Sequence, residues 1–310
     1  MPIHNTMRAA LRALTRHDVD VTTQYERKRK MVNAIHPPLA SPFRIWDHTI
    51  TLEDHTIPVR LFAPPEPGPH PVLLFFHGGG WVTGNIDSYT SVCSRMARLT
   101  GHLVISVDYR LAPEHPFPAG LEDCYAAARE VFCNCESLGI CHRQITLIGD
   151  SAGGNLTAAV SLMARDRGEF LPARQILLYP ATWNDHSPDS PFPSVRENGE
   201  DYLLTSRQVC NYMTLYLGDH PENRQNPYFA PLLAPRLDHQ PDTLIITAEY
   251  CPLRDEGEAY GHKLIEAGNT VAIYRIPNAL HGYMSLPASF VPVRRSYEII
   301  NHFLRKVEQP

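Results

Sequence analysis

The chain has 310 residues, 43% of them hydrophobic, enough for one large α/β domain or two small ones with a sizeable core. A net charge of −5 with no basic stripe excludes nucleic acid as a partner, no apolar run is long enough to span a bilayer, and residues 1–15 hold no continuous signal-peptide core. Seven cysteines, an odd number with no C-x-x-C pair, argue against a disulfide framework or a zinc site and for a reducing cytoplasm.

Residues 1–40 predict one or two helices closed by His36-Pro37-Pro38, with Met7, Leu11 and Leu14 at helical spacing. The run Arg27-Lys28-Arg29-Lys30 is expected on a solvated helix face. Two strands, 45–52 and 56–62, flank a turn at Glu53-Asp54-His55, and the proline-rich stretch 64–69 is a loop. The apolar run 71–76 has the mark of a strand buried on both faces. It ends in His77-Gly78-Gly79-Gly80-Trp81. Three glycines weaken a strand, so they suit a loop whose N–H groups approach a ligand closely; a flexible turn is the plainer reading. A helix over 87–99 capped by Asp87 follows, then a buried strand over 103–107 and a proline-rich, non-helical segment over 108–119. In the next helix, 121–138, Cys133 and Cys135 lie two apart and face different directions.

The β-rich run 144–148 leads into Gly149-Asp150-Ser151-Ala152-Gly153-Gly154, and a helix over 155–167 comes after it. Gly-x-Ser-x-Gly between a strand and a helix is the nucleophile-elbow pattern. The turn is so sharp that side chains two residues either side of the serine would clash across it. The bare pattern also fits a capping serine at a glycine-rich helix start, and the flanking strand and helix favour the elbow. A strand over 175–179 continues the alternation. The stretch 180–231, rich in Pro, Asp and aromatics (Trp183, Phe192, Tyr202, Tyr212, Tyr216), breaks it as an insertion with a helix over 201–217. Strands over 243–247 and 270–275, a helix over 255–267 and a closing helix over 290–307 resume it, with His281 in the loop after the last strand. The β–α alternation predicts a mostly parallel sheet covered by helices on both faces.

Ser151 needs a base to become nucleophilic. Among 16 histidines His281 stands out by its place just after a strand, where loops gather at the carboxyl edge of the sheet. The glycines at 78–80 supply donors for an oxyanion.

Together, His77-Gly78-Gly79-Gly80-Trp81 and Gly149-Asp150-Ser151-Ala152-Gly153-Gly154 resemble the hormone-sensitive-lipase-like branch of the α/β-hydrolases, the bacterial family IV carboxylesterases. The segments 108–119 and 248–257 look like that family too, so the resemblance runs from about residue 45 to the end. It implies an α/β-hydrolase fold: an eight-stranded, mostly parallel sheet flanked by helices, with a helical cap built from residues 1–40 and 181–220. The core would then be 41–180 and 221–310. It implies the backbone N–H groups of Gly79, Gly80 and Ala152 as oxyanion donors, with His77 orienting its loop. Trp81, Asp150, Tyr179 and Leu203 would line the substrate pocket. It implies no cofactor, no metal and no membrane, and makes a homodimer through the last strand and helix plausible.

One position departs from the family. Its Asp-Pro-Leu-x-Asp is here Cys251-Pro252-Leu253-Arg254-Asp255, with Cys251 in the place of the triad acid. A thiol with an ordinary pKa of about 8.5 is mostly neutral at pH 7 and offers no full charge to an imidazolium. In serine proteases loss of the acid's charge costs roughly 10⁴ in kcat, while 10³–10⁴ over water survives on the oxyanion hole and binding. Activity is expected to be impaired, not abolished. Asp255, one helical turn on, and Glu249, two residues back, are candidate substitute acids. If neither serves, the chain works with a Ser–His dyad of reduced power, or Cys251 has been introduced by substitution. The first functional reading is a carboxylesterase for short acyl or aryl esters, small molecules that suit Trp81 and an aromatic cap. The second is a binding protein on a hydrolase scaffold, as in the plant gibberellin receptors, which resemble this family but lack an intact triad. The third is an amide, lactone or carbamate hydrolase on the same site.

Overall fold

Runs of five residues without glycine or proline set the centre of the sheet. In the computed structural model, which describes residues 5–16, 19–35 and 44–305, Val72–Phe76 and Leu103–Val107 are strands buried at every position. In chain order the strands are β1 (Ile45–Thr51), β2 (Thr56–Phe62), β3 (Val72–Phe76), β4 (Leu103–Val107), β5 (Ile145–Asp150), β6 (Arg174–Leu178), β7 (Asp242–Tyr250) and β8 (Val271–Leu280). They form one eight-stranded sheet in the order β1-β2-β4-β3-β5-β6-β7-β8. β1 and β2 pair antiparallel, as do β2 and β4; the other neighbours are parallel.

The helices are α1 (Asn5–Arg16), α2 (Val21–Ile35), α3 (Thr90–Thr100), α4 (Ala119–Cys133), α5 (Ala152–Arg167), α6 (Pro193–Glu197), α7 (Ser206–Leu217), α8 (Arg254–Glu266) and α9 (Val291–Arg305). α3 packs with α9 and α4 with α5, while α8 lies along β7 and β8. α5 is buried from Ala152 through Ala164, which accounts for its lack of a polar stripe. α2 and α7 pack together although about 185 residues separate them. The expected stop at His36-Pro37-Pro38 and residues 306–307 of the closing helix lie outside the described residues, as do the side chains of Met7 and Leu14; Leu11 is buried.

Three boundaries differ from the expectation. Asp87 does not cap α3: its carboxylate takes Arg60 of β2 at 2.7 Å, and the helix starts at Thr90 without a side-chain cap. α4 ends at Cys133, and a 3₁₀ turn (Cys135–Leu138) follows, so Cys133 is exposed and Cys135 buried. α7 begins five residues late, at Ser206, because Thr205 and Gln208 close a reciprocal capping box there. A fourth difference positions the site. β8 does not stop at residue 275 but runs to Leu280, past an irregularity in its pairing with β7, and Tyr250 pairs with Leu280. Cys251 and His281 are therefore the next residues out of a paired couple, and they leave the sheet side by side.

Candidate active site

Ser151 sits between β5 and α5 at φ 56°, ψ −118°, a left-handed conformation that costs a non-glycine residue on the order of 1–3 kcal/mol. Its N–H donates to the Leu178 carbonyl at 2.8 Å and its carbonyl accepts from Asn155 N–H at 3.1 Å, which holds the turn against that strain. The two flanking glycines are obligatory by contact: a Cβ on Gly149 would lie 2.2 Å from the Gly153 carbonyl oxygen, and one on Gly153 1.9 Å from that of Phe76.

The Ser151 hydroxyl is 2.8 Å from Nε2 of His281, and Nδ1 of the same ring is 3.1 Å from Sγ of Cys251. The Leu253 N–H donates to that sulfur at 3.4 Å. Cys251 is fully buried, and burial pushes its thiol far above the ordinary range. His281 is half-buried, with the Tyr179 ring edge-on at 5.0 Å; burial lowers its pKa to about 3, and no carboxylate among the described residues raises it. The resting ring is neutral.

Gly79 (φ 121°) and Gly80 (φ 62°) curl the loop after β3, and Val82 and Thr83 N–H groups close it on the Gly79 carbonyl at 3.2 and 2.9 Å. The N–H groups of Gly79, Gly80 and Ala152 have no acceptor among the described residues. His77, buried under this loop, contacts the Gly78 carbonyl through Nδ1 at 2.8 Å and stacks on Tyr109 at 4.3 Å. Burial lowers its pKa to about 4, so it braces the loop as a neutral ring. Asp150 fixes the loop from the other side: its carboxylate accepts from Gly78 N–H at 2.8 Å, the Tyr89 hydroxyl at 3.2 Å and the Tyr179 hydroxyl at 3.4 Å. Burial raises Asp150 to about 6, and the three donors act against that rise.

A cavity of about 200 Å³ opens over Ser151, His281, Gly79, Gly80 and Ala152. A second of about 150 Å³ meets it at Gly79, Tyr89, Asp150 and Gly282 and runs toward Met96 and Met284. Of the expected pocket residues, Trp81 and Asp150 line the first cavity. Tyr179 does not; it lies beneath the histidine ring. Leu203 does not either: it is 43% exposed, and Leu204 turns inward in its place. Tyr89, Val209, Tyr212 and Leu253 complete the wall. Val209 and Tyr212 stand three apart after the Thr205 cap, a helical spacing that would have marked them.

Asp255 is not brought to His281, which corrects its expected role as a substitute acid. Its carboxylate accepts from Ser194 N–H at 2.7 Å and from Arg254 at 2.7 Å. Glu249 accepts from Asn278 N–H at 2.6 Å instead. Glu256 is buried against His186 at 2.5 Å and the N–H groups of Thr182 and Trp183.

A hydroxyl on an imidazole, next to three unengaged N–H donors, can carry acyl transfer. A model of the alpha/beta hydrolase fold family matches residues 73–285. The chain belongs to that family, in its hormone-sensitive-lipase-like branch. The hydrolase is 36% identical to an arylesterase of Saccharolobus solfataricus over 242 residues, 78% of this chain and 77% of that protein. It is 38% identical to the carboxylesterase NlhH of Mycobacterium tuberculosis over 256 residues, 80% of this chain and 78% of the other. Among solved structures it is similar to a hyperthermophilic esterase from the archaeon Pyrobaculum calidifontis, with a TM-score of 0.84 and 36% identity over all of both chains.

Proposed function

We propose that this carboxylic ester hydrolase cleaves esters of short acyl or aryl acids, with Ser151 as nucleophile and His281 as its base. The observation that carries this reading is the 2.8 Å contact between the Ser151 hydroxyl and Nε2, made beside three N–H groups that have no acceptor among the described residues. The serine attacks the ester carbonyl as His281 takes its proton. Gly79, Gly80 and Ala152 N–H groups hold the charge that develops on the carbonyl oxygen. The imidazolium returns its proton to the departing alcohol, and water then releases the acid from Ser151 by the same steps. The first cavity, floored by Ser151 and walled by Trp81, Leu204, Val209 and Tyr212, suits a small apolar group. Helices α1, α2, α6 and α7 act as its cap. Cytoplasmic placement and a homodimer through β8, the outer strand, and α9 belong to the same reading.

Cys251 weakens the enzyme, since it gives the imidazolium no charge. Turnover of p-nitrophenyl butyrate by the unsubstituted chain, by Cys251→Asp and by Ser151→Ala tests this. The Asp variant should be faster by about 10²–10⁴-fold, as restoration of the acid in a triad predicts, and Ser151→Ala should be inactive. Equal, fast rates for the unsubstituted chain and the Asp variant would mean that some other group serves His281. Rates for both that match Ser151→Ala would favour the second reading, a small-molecule binding protein, for which the buried thiol behind the histidine is the motive.

A further inference from the structure

We propose that Cys251 is a positioning residue of the wrong sense: its S–H is donated to Nδ1 of His281 and holds the resting imidazole as the Nε2–H tautomer, so that Ser151 faces a proton in place of a lone pair. The inference rests on the serine–histidine reading above and concerns the state in which that pair waits.

Hydrogen-bond accounting around the sulfur carries it. Sγ has two recorded neighbours, the Leu253 N–H at 3.4 Å and Nδ1 at 3.1 Å. The first can only donate, so it occupies a sulfur lone pair. The second is the sole recorded acceptor for the thiol's own hydrogen among the described residues. Cys251 has no exposed surface, so water does not offer another. With S–H directed to Nδ1, both the thiol hydrogen and the ring nitrogen are paired. With Nδ1–H directed to sulfur, the sulfur receives two donors and its hydrogen is left without an acceptor in an apolar interior, which costs more than an unmade exposed bond.

A carboxylate makes the opposite demand. It only accepts, so it calls for a proton on Nδ1 and frees Nε2 for the serine. Asp255, Glu249 and Glu256 are each engaged elsewhere, and none restores that demand. On the serine side both tautomers are paired, since Nε2–H can donate to the hydroxyl, and Ser151 is only half-buried and can turn its own hydrogen to the cavity. The tautomer is therefore decided at the cysteine. Turnover begins only from the minor Nδ1–H form, and the loss falls on kcat, because no wall of the substrate cavity is involved.

This reverses the sign expected for a simple truncation. If the thiol were a feeble stand-in acid, Cys251→Ala would slow the enzyme. If it traps the unproductive tautomer, Cys251→Ala should raise kcat by about fivefold, the weight of one neutral hydrogen bond, with KM unchanged. A slower alanine variant that keeps the native circular dichroism overturns the proposal. The second measurement does not depend on activity or on the alanine variant folding. In protein labelled with ¹⁵N-histidine, with the His281 signal assigned by its loss in His281→Gln, the chain with Cys251 should carry its ring proton on Nε2, and Cys251→Asp should carry it on Nδ1. A chain with Cys251 that is protonated on Nδ1 refutes the trap. Failure of the esterase reading is separable from both results: it appears as turnover no faster than that of Ser151→Ala, while the tautomer is read from the ring itself.

Discussion

Gly80 shows how little room the oxyanion loop has. A Cβ there would lie 2.4 Å from Cγ of Tyr212, and the backbone stands at φ 62°, which side chains resist. Because Cγ is the root of the ring, the tyrosine cannot swing its tip aside to relieve the contact. Gly80→Ala should shift the loop that carries two of the three N–H donors. The expected result is a fall in kcat of about 10²–10³-fold, the weight of one lost oxyanion donor, together with a lower melting temperature from the strained backbone. An unchanged kcat would remove the Gly80 N–H from the mechanism. At this scale the sequence was informative because each requirement is local: a positive φ or a close approach selects glycine, and an elbow selects glycine on both sides of Ser151. Pairings made across the insertion were not legible. Asp255 looked available in the sequence, and its Ser194 partner arrives from 61 residues away.

Element boundaries depend on contacts that a window of sequence does not contain. Pro277-Asn278 has the composition of a turn, yet β8 continues through it as an outer strand, where a proline's missing N–H is tolerated. Asn278 absorbs the irregularity at φ 57°. The turn between β1 and β2 has a similar hidden attachment. His55 contacts Asp54 through Nδ1 and Asp123 of α4 through Nε2, both at 2.8 Å, and Asp123 is also held by Arg110 at 2.8 Å. The hydrogen bond to Asp123, more than that to Asp54, raises the histidine's pKa in the fold against burial and the nearby Arg110. A group raised on folding stabilises most below its unfolded value, about 6.5. That contribution disappears as pH climbs through the higher folded value. His55→Gln should therefore lower the melting temperature more at pH 5.5 than at pH 8.5. A difference from the unsubstituted chain that is constant across that range would mean that His55 does not bind its proton more tightly in the fold.

Across the whole molecule, distant stretches of chain converge on the cavity, and the alternation of strand and helix foretold the sheet far better than it foretold the cover. The order of the parallel strands follows from short connections and buried apolar runs. The seat of residues 5–16 and 19–35 does not, since their apolar spacing is compatible with many surfaces. The structure seats them by arginines. Arg8 and Arg12 reach Asp201 at 2.6 and 3.2 Å, which joins α1 to the insertion. Arg29 falls within the basic run expected to be solvated, yet it is only partly exposed and spans three partners: the Val82 carbonyl, the Ala112 carbonyl at 2.6 Å and both Glu114 carboxylate oxygens at 2.7 Å. Val82 lies in the turn closed on Gly79, so α2 is tied to the loop that would hold the oxyanion. The ion pair with the half-exposed Glu114 contributes little in water; the bonds to the two carbonyls matter more. Arg29→Met keeps most of the stem and removes these bonds. It should weaken the docking of α2 by about 1.5–3 kcal/mol, the range for hydrogen bonds to a charged group. Hydrogen exchange over α2 should quicken while that of β3 and β5 stays as it was, and KM should rise several-fold more than kcat falls. If exchange over α2 is unaltered, the helix is held by its packing, on α7 among others; if kcat falls and KM does not, Arg29 acts through the oxyanion loop and not through the cover of the cavity.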